Sequence, residues 1–241
     1  MISLGRGAYQ ARFTDDPADV AACQALRALA FQGREGRDHD PFDAVCTHVM
    51  VEREDTLVAC YRVLRLESGR EIARSYSAQF YDLAALEAFA GPLVEMGRFC
   101  VHPDHPDPDI IRVAWAALTR YVDENGIKML FGCASFEGTQ AADYTDVFAI
   151  LKARHLAPKR WLPRVKAPNV FRYANQLRGE ANVKLGMLRM PPLLRTYLTM
   201  GGWVSDHAVV DTQMNTLHVF TGVEIAAIPP ARARLLRAVA G

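Results

Sequence analysis

The sequence predicts an α/β domain built on a mixed β-sheet flanked by helices. Three observations carry this: a helix-period segment near the N-terminus, two strand-like runs after it, and a strand, helix and strand in succession mid-chain. Asp19 to Phe31 repeats apolar residues at Val20, Cys23, Leu26, Leu29 and Ala30, which is helical spacing. Asp15-Asp16 with Pro17 start that helix, and Gly33 and Gly36 end it. The polar loop GREGRDHDPFD follows and is expected to be mobile unless substrate orders it, with Asp38 a solvated loop charge. His48 to Val51 and Leu57 to Leu66, enriched in Val, Tyr and Leu, read as two strands joined at EREDT. Glu71 to Ala78 reads as a further strand, and Leu83 to Phe89, after Asp82, as a short helix.

Leu93 to Val101 is the next predicted strand. Ile110 to Val122 repeats apolar residues at Ile110, Val113, Ala114, Leu118, Tyr121 and Val122, and Asn125-Gly126 supplies its stop. Lys128 to Phe136 is nearly continuous in apolar residues, the pattern of a strand covered on both faces. A strand, helix and strand of these lengths form a crossover, so part of the sheet is expected to be parallel. Tyr144 to Arg154 gives a further helix, and Ala208 to Val210 and Leu217 to Phe220 two strands that extend the same sheet. Residues 1–241 are therefore read as one domain, with an extension from about residue 180 packed on that sheet.

Half of the 241 residues are hydrophobic (50%), enough for a core without covalent staples. Lys and Arg number 28 against 27 Asp and Glu, so the overall charge does not mark nucleic acid as a partner. The cysteines, Cys23, Cys46, Cys60, Cys100 and Cys133, are widely spaced, odd in number and form no CxxC pair. They read as reduced residues of a cytoplasmic protein, with no zinc site. The segment MISLGRGAYQARF has too short an apolar part for a secretory signal, and no later run reaches a spanning length.

The densest chemistry lies in PLVEMGRFCVHPDH, where Glu95 and Arg98 interrupt an apolar strand. Three apart, they would face opposite sides of an ideal pleat, and a bulge at Met96-Gly97 would bring both to one cleft. Glu95 is then a candidate general base and Arg98 a clamp for a carboxylate or phosphate, against the alternative of a structural ion pair. Arg27, Phe31, Asp40, Asp43, His48 and Arg62 form a second group, spread over one helix, a loop and a hairpin. Such a set suits an amino acid, with Asp40 and Asp43 toward an ammonium and Arg27 or Arg62 toward a carboxylate. The helix near Ile110 offers N-terminal amides and Arg112 to a phosphate. His102 and His105 lack metal-ligand spacing, and Ser135 lacks a nucleophile elbow or any spacing to His155. Lys152 to Lys166, with Trp161 inside it, reads as a solvated face or as a dock for an acidic protein. Met187 to Trp203 carries apolar bulk broken at Pro191-Pro192, which is either core or a lip facing a bilayer or acyl chain.

In the order LRALAF, HDPFDAVCTHVMV, ACYRVL, VEMGRFCVHPD, LFGCASFEG, RHLAP, PPLLRTYLTMGGWV and DTQMNTLHVF, the chain resembles the L-ornithine Nα-acyltransferases of bacterial ornithine-lipid synthesis. Those proteins are GNAT-like, with a centrally splayed mixed sheet, and the resemblance implies that fold here. The skeleton is also similar to that of acyl-homoserine-lactone synthases, whose Arg, Phe, acidic pair, Arg and Glu-x-x-Arg set falls on Arg27, Phe31, Asp40, Asp43, Arg62, Glu95 and Arg98. The resemblance implies transfer of a 3-hydroxyacyl group from acyl carrier protein to the α-amine of ornithine. No permanent cofactor is implied; the donor is the phosphopantetheine arm of the carrier protein. Glu95 would take the ammonium proton, backbone N–H groups near Cys100 and Val101 would support the oxyanion, and the arm's phosphate would meet the helix start near Arg112. A cytoplasmic protein that touches the inner membrane peripherally fits that role. The alternatives are a lactone synthase or a binding module without catalysis. Two departures bear on this: VHPDHPDPD lacks the glycines of a coenzyme A pyrophosphate loop, which favours a carrier-protein donor. Thr47 follows Cys46 where relatives often have Asp, which leaves lysine, glutamine or another amine in play as acceptor.

Overall fold

The computed structural model describes residues 3–240; Met1 and Ile2, which begin the N-terminal segment read above, and Gly241 lie outside the described residues. The chain divides into two compact units, one of Met1–Arg65, Val94–Ile127 and Pro230–Gly241, the other of Leu66–Leu93 and Lys128–Pro229.

The first unit is a sheet with helices on both faces. Its strands β1 (Ser3–Arg6), β2 (Tyr9–Thr14), β3 (Thr47–Arg53) and β4 (Thr56–Leu66) form an antiparallel meander. The two-residue turn between β3 and β4 takes its hand from Glu54 and Asp55, at φ 49° and 64°, the twist that hairpin strands require. Helix α1 (Pro17–Gln32) starts at Asp16, whose carboxylate accepts from Ala18 N and Asp19 N, and ends at Gly33 at φ 62°. Its Cys23 and Leu26 pack on Met50, Cys60 and Cys100.

Strand β5 (Tyr81–Asp82) belongs to the second unit. β6 (Leu93–Val101) lies beside β4. Helix α2 (Pro108–Glu124) covers the face of the sheet opposite α1, where Tyr61 donates to Ala114 O at 3.0 Å and Tyr121 stacks on Phe13 at 5.1 Å.

The second unit centres on β7 (Met129–Glu137), which pairs antiparallel with a long strand, Thr216–Glu224, from Met129↔Glu224 to Glu137↔Thr216. Between them in sequence come α3 (Thr145–Arg154), β8 (Arg164–Val165) paired with β5, β9 (Val170–Phe171), and α4 (Tyr173–Gln176). Then follow α5 (Val183–Arg189), α6 (Pro192–Thr199), β10 (Trp203–Val204) and β11 (Ala208–Asp211); the long strand is β12. Pro191-Pro192 does separate two helices, as a proline pair must. Phe136, Phe148, Tyr173, Leu194 and Val219 are the bulk of this unit's core.

Several expectations are corrected. Glu71 to Ala78 is not a strand but 3₁₀ turns at Gly69–Arg74 and Ser77–Gln79. Local bonds hold them: Glu71 accepts from Glu67 N at 2.8 Å and Ser75 Oγ donates to Ile72 O at 2.7 Å, satisfying backbone that a ladder would otherwise claim. The loop after α1 is not loose; Asp38 N donates to Gln24 O at 3.0 Å, and Pro41–Ala44 is a 3₁₀ turn with a capping box between Asp40 and Asp43. The N-terminal hairpin and helix α7 (Pro230–Ala240) have no counterpart among the expectations. Arg237 of α7 pairs with Asp123 of α2 at 2.8 Å.

A methyl at Gly69 would stand 1.9 Å from Leu86 O, a backbone atom that cannot step aside, so Gly69→Ala should cost about 2–3 kcal/mol in urea unfolding. Burial lowers the pKa of His218 from 6.5 to about 4, so between these values the unfolded chain binds the extra proton and stability falls as pH falls. Melting followed by circular dichroism from pH 7.5 to 4.5 should show a steeper loss of Tm in the parent than in His218→Phe.

Candidate active site

One feature of β6 organises the site. Arg98 has φ 55°, a left-handed conformation that costs a residue with a side chain roughly 1 kcal/mol or more and breaks the alternation of the strand. On one side of the break Cys100 packs on Cys23 and Leu26 of α1, while Phe99 stacks on Tyr61 at 5.8 Å on the other face. On the other side of the break, a Cβ at Gly97 would point at Arg62 Nε, 4.0 Å away and on the α1 face. Glu95, two residues earlier, shares the face of Gly97. Glu95 and Arg98 therefore reach one face although they are three apart. The sequence expectation put the irregularity at Met96-Gly97; it falls one position later, at Arg98 itself.

That face holds a cage of ion pairs. Arg27, 1% exposed, donates from Nη1 and Nη2 to the two oxygens of Asp43 at 2.8 and 2.7 Å. Its Nε donates to Asp38 O at 3.1 Å and lies 3.1 Å from Asp38 Oδ2. Arg62 bonds both oxygens of Asp40, at 2.6 and 2.8 Å, and Asp43 Oδ1 at 2.6 Å. Arg98 Nη2 donates to Asp40 at 3.1 Å, and its Nη1 lies 3.7 Å from Asp38. His48 stands opposite Arg62 in the β3–β4 register, with Nε2 3.2 Å from Asp43 O. The Phe42 ring lies 5.6 Å from the Arg62 guanidinium.

Burial works against ionisation of Asp43 and Asp40, yet arginine hydrogen bonds win. Those from Arg27 and then Arg62 hold Asp43 well below the ordinary carboxylate range, and those from Arg62 and then Arg98 lower Asp40. Burial pushes the Cys46 thiol up to about 12, and the charges acting on it are Arg62, Glu95, Asp40 and Asp43, which places Glu95 in the electrostatic reach of the cage. Glu95 is 4% exposed.

The structure thus brings together Arg27, Asp40, Asp43, His48, Arg62, Glu95 and Arg98. It adds Asp38, Gln24 and Phe42, which the sequence reading left out. Asp38 is 7% exposed rather than solvated, because its loop folds back on Arg27. The Asp-Pro-Phe-Asp spacing of a capping box was the available signal for the turn, but not for its arginine partners. Phe31, one helical turn after Arg27 on α1, is 40% exposed.

Other candidates take plainer places. The Cys100 side chain is buried 3.5 Å from the Cys60 sulfur, so only its backbone can meet a ligand. Val101, next along β6, is half-buried. Arg112 is exposed and paired with Asp109 at 2.5 Å, and the first turn of α2 is capped by Asp107, which also accepts from Tyr9 at 2.6 Å. His102 and His105 stack edge to face at 5.0 Å, and the described residues contain no cluster of three metal-ligating side chains.

In the second unit, Arg154, Lys159, Arg160, Arg164 and Lys166 are exposed, while Lys152 is tied to Leu177 O at 2.9 Å. Trp161 Nε1 donates to Glu224 at 3.2 Å. Helix α5 exposes Leu188 (81%), Val183 and Met187 beside Lys184 and Arg189. Among the described residues no helix is long and apolar enough to cross a membrane.

Residues 23–116, from α1 to within α2, match the family model described as an acetyltransferase (GNAT) domain. FeeM, an N-acyl amino acid synthase from uncultured soil microbes, has the same fold with a TM-score of 0.50, at 10% identity over 96% of each chain. The protein thus has a GNAT-type α/β fold. Over 230 residues it is 36% identical to the L-ornithine N(alpha)-acyltransferase of Rhodobacter capsulatus, covering 88% of both chains. With that of Brucella abortus it shares 31% over 242 residues, 91% of this chain and 85% of the relative. The chain belongs to the L-ornithine N(alpha)-acyltransferase family.

The cage makes a sharp stability prediction. Asp43→Asn weakens the pairing of two buried guanidinium groups at once and should lower the unfolding free energy by about 3–5 kcal/mol, read by urea titration.

Proposed function

We propose that the protein transfers a 3-hydroxyacyl group from the phosphopantetheine thioester of acyl carrier protein to the α-amine of L-ornithine, giving lyso-ornithine lipid. The observation that carries this reading, beside the family, is the charge balance of the site. Three guanidinium groups, Arg27, Arg62 and Arg98, face four carboxylates, Asp38, Asp40, Asp43 and Glu95, within one buried cluster. Among these seven side chains the carboxylates outnumber the guanidinium groups by one, 4 against 3. Ornithine, with two ammonium groups and one carboxylate, carries the complementary positive charge, whereas a neutral amino acid does not.

The α-ammonium must lose a proton before its nitrogen can attack the thioester carbonyl, and Glu95 takes that proton directly or through one water. Backbone N–H groups at Cys100 and Val101 support the oxyanion, the thiol of the arm leaves with a proton, and an amide remains. No covalent acyl-enzyme is required. The arm's phosphate is assigned to the start of α2, where Arg112 would exchange its Asp109 partner for it. The exposed basic residues between Arg154 and Lys166 supply the charge that an acidic carrier protein would meet. An amphiphilic product and the exposed apolar residues of α5 support a peripheral contact with the cytoplasmic face of the inner membrane.

Mass spectrometry of products from the purified protein, carrier-protein donors and a mixture of amines tests the reading. N-acylornithine with release of free carrier thiol is expected; no thiol release with any amino acid would sink it. Glu95→Gln should lower kcat by a factor of about 100 or more with donor KM little changed. Unchanged turnover in that variant removes Glu95 as the base.

A further inference from the structure

The apolar stretch over residues 187–203 splits at Pro191-Pro192 into two kinds of surface. On α6, Leu194 and Leu198 enter the core of the second unit with Phe148 and Val219. On α5 the apolar side chains face solvent instead: Val183 is 43% exposed, Met187 38%, and Leu188 81%, more than any other large hydrophobic residue among those described. Gly186 sets that orientation. A Cβ there would stand 2.5 Å from Ile150 Cδ1 and 3.0 Å from Asp146 O, so the bare backbone of α5 lies directly on α3. Asn182 secures the start of the helix, its N donating to the Asp146 carboxylate at 2.8 Å while its side-chain oxygen accepts from Leu185 N at 3.1 Å.

Positions i, i+1, i+4 and i+5 fall within one arc of a helix, and on α5 these are Val183, Lys184, Met187 and Leu188. Gly186 lies outside that arc. The outward face is therefore apolar with one ammonium set into it. The charge around it has one sign. Over residues 172–199 the basic side chains are Arg172, Arg178, Lys184, Arg189 and Arg195, all exposed, against Glu180 as the single acid. Arg178 and Arg189 each donate from Nη1 to a backbone carbonyl at 2.6 Å, of Asn175 and Asp143, which steadies the guanidinium groups without neutralising them.

A protein partner would need a shaped pocket for the protruding Leu188 and carboxylates placed around it. A bilayer needs neither, because its headgroup region yields to an apolar side chain and its anionic phosphates gather at Lys and Arg. We propose that the outward face of α5 inserts Val183, Met187 and Leu188 among the headgroups of a bilayer rich in anionic phospholipid, with Lys184 on the phosphates and the flanking arginines adding attraction at longer range. This rests on the membrane contact of the preceding subsection and commits it to one helix and one class of lipid. Three side chains are too few to hold a protein permanently, so the contact is reversible and sensitive to salt.

The test is co-sedimentation of the full chain with vesicles of phosphatidylcholine carrying one-third phosphatidylglycerol, against vesicles of phosphatidylcholine alone. Affinity for the anionic vesicles should be higher by about tenfold or more, and should fall by a similar factor as NaCl rises from about 0.1 to about 0.5 M. Leu188→Glu should lower it about tenfold or more, and Lys184→Glu about fivefold or more. Leu235→Glu, at an exposed apolar site on α7 in the first unit, should leave it unchanged. Thiol release in vesicle-free solution should match the parent in all three variants, which shows that they fold. Equal binding to the two kinds of vesicle overturns the proposal, as does a loss in Leu235→Glu as large as in Leu188→Glu. Full binding by Leu188→Glu leaves a peripheral contact elsewhere and defeats this one, whereas a parent that sediments with neither vesicle ends the membrane contact itself. A raised KM for acyl carrier protein in Leu188→Glu, with vesicle binding retained, makes the face a protein dock and also overturns it.

Discussion

Arg62 bonded to Asp40 and Asp43, with Arg27 closing on Asp43 from the other side, is the constraint on which the first unit depends. Two guanidinium groups at 3% and 1% exposure would be costly alone, and the aspartates that neutralise them come from one short segment of loop. The loop therefore cannot move without exposing an uncompensated charge. α1, the 3₁₀ turn at Pro41–Ala44, β4 and β6 are tied into one arrangement by a handful of oxygen atoms. A hydrophobic core alone would hold these elements less selectively in register; the directional fork of arginine fixes both distance and angle.

The left-handed residue at Arg98 is the second half of the same device. A regular strand would send Glu95 and Arg98 to opposite faces, one to the cage and one toward α2. The slip in alternation puts both on the α1 side, and the hydrogen bond from Arg98 to Asp40 helps to offset the strain. Local backbone cost is here converted into chemistry: a carboxylate is held close to fixed positive charge within one buried cluster.

Family membership and site geometry bear on different parts of the reaction. The relatives define an acyltransferase of a particular family. The cage speaks to the acceptor, through charge. In the second unit, burial of the Tyr81–His218 pair leaves His218 Nε2 without a hydrogen-bond partner among aromatic neighbours. The cage follows the principle that a buried charged group is tolerated only where partners complete it.

Much of the secondary structure is legible in the sequence because it is set by neighbours. Asp16, Pro17 and Gly33 bound α1, and Leu93 to Val101 reads as β6 with the limits observed. Most members of the cage are legible too, as residue types, since Asp, Arg and Glu inside apolar or turn-forming segments attract notice. Glu71 to Ala78 misleads because local side-chain bonds outweigh its strand-like composition. Asp38 misleads because its partner, Arg27, lies on the far side of a loop. The Tyr81–His218 pair joins residues 137 apart and leaves no trace in spacing at all. The sequence by itself determined which elements form and which charged residues are present, because periodicity and capping are short-range. Which carboxylate meets which guanidinium, and which nitrogen of His218 is left bare, was decided by the tertiary structure, since the pairing of buried polar groups depends on atoms that only folding brings within hydrogen-bond distance.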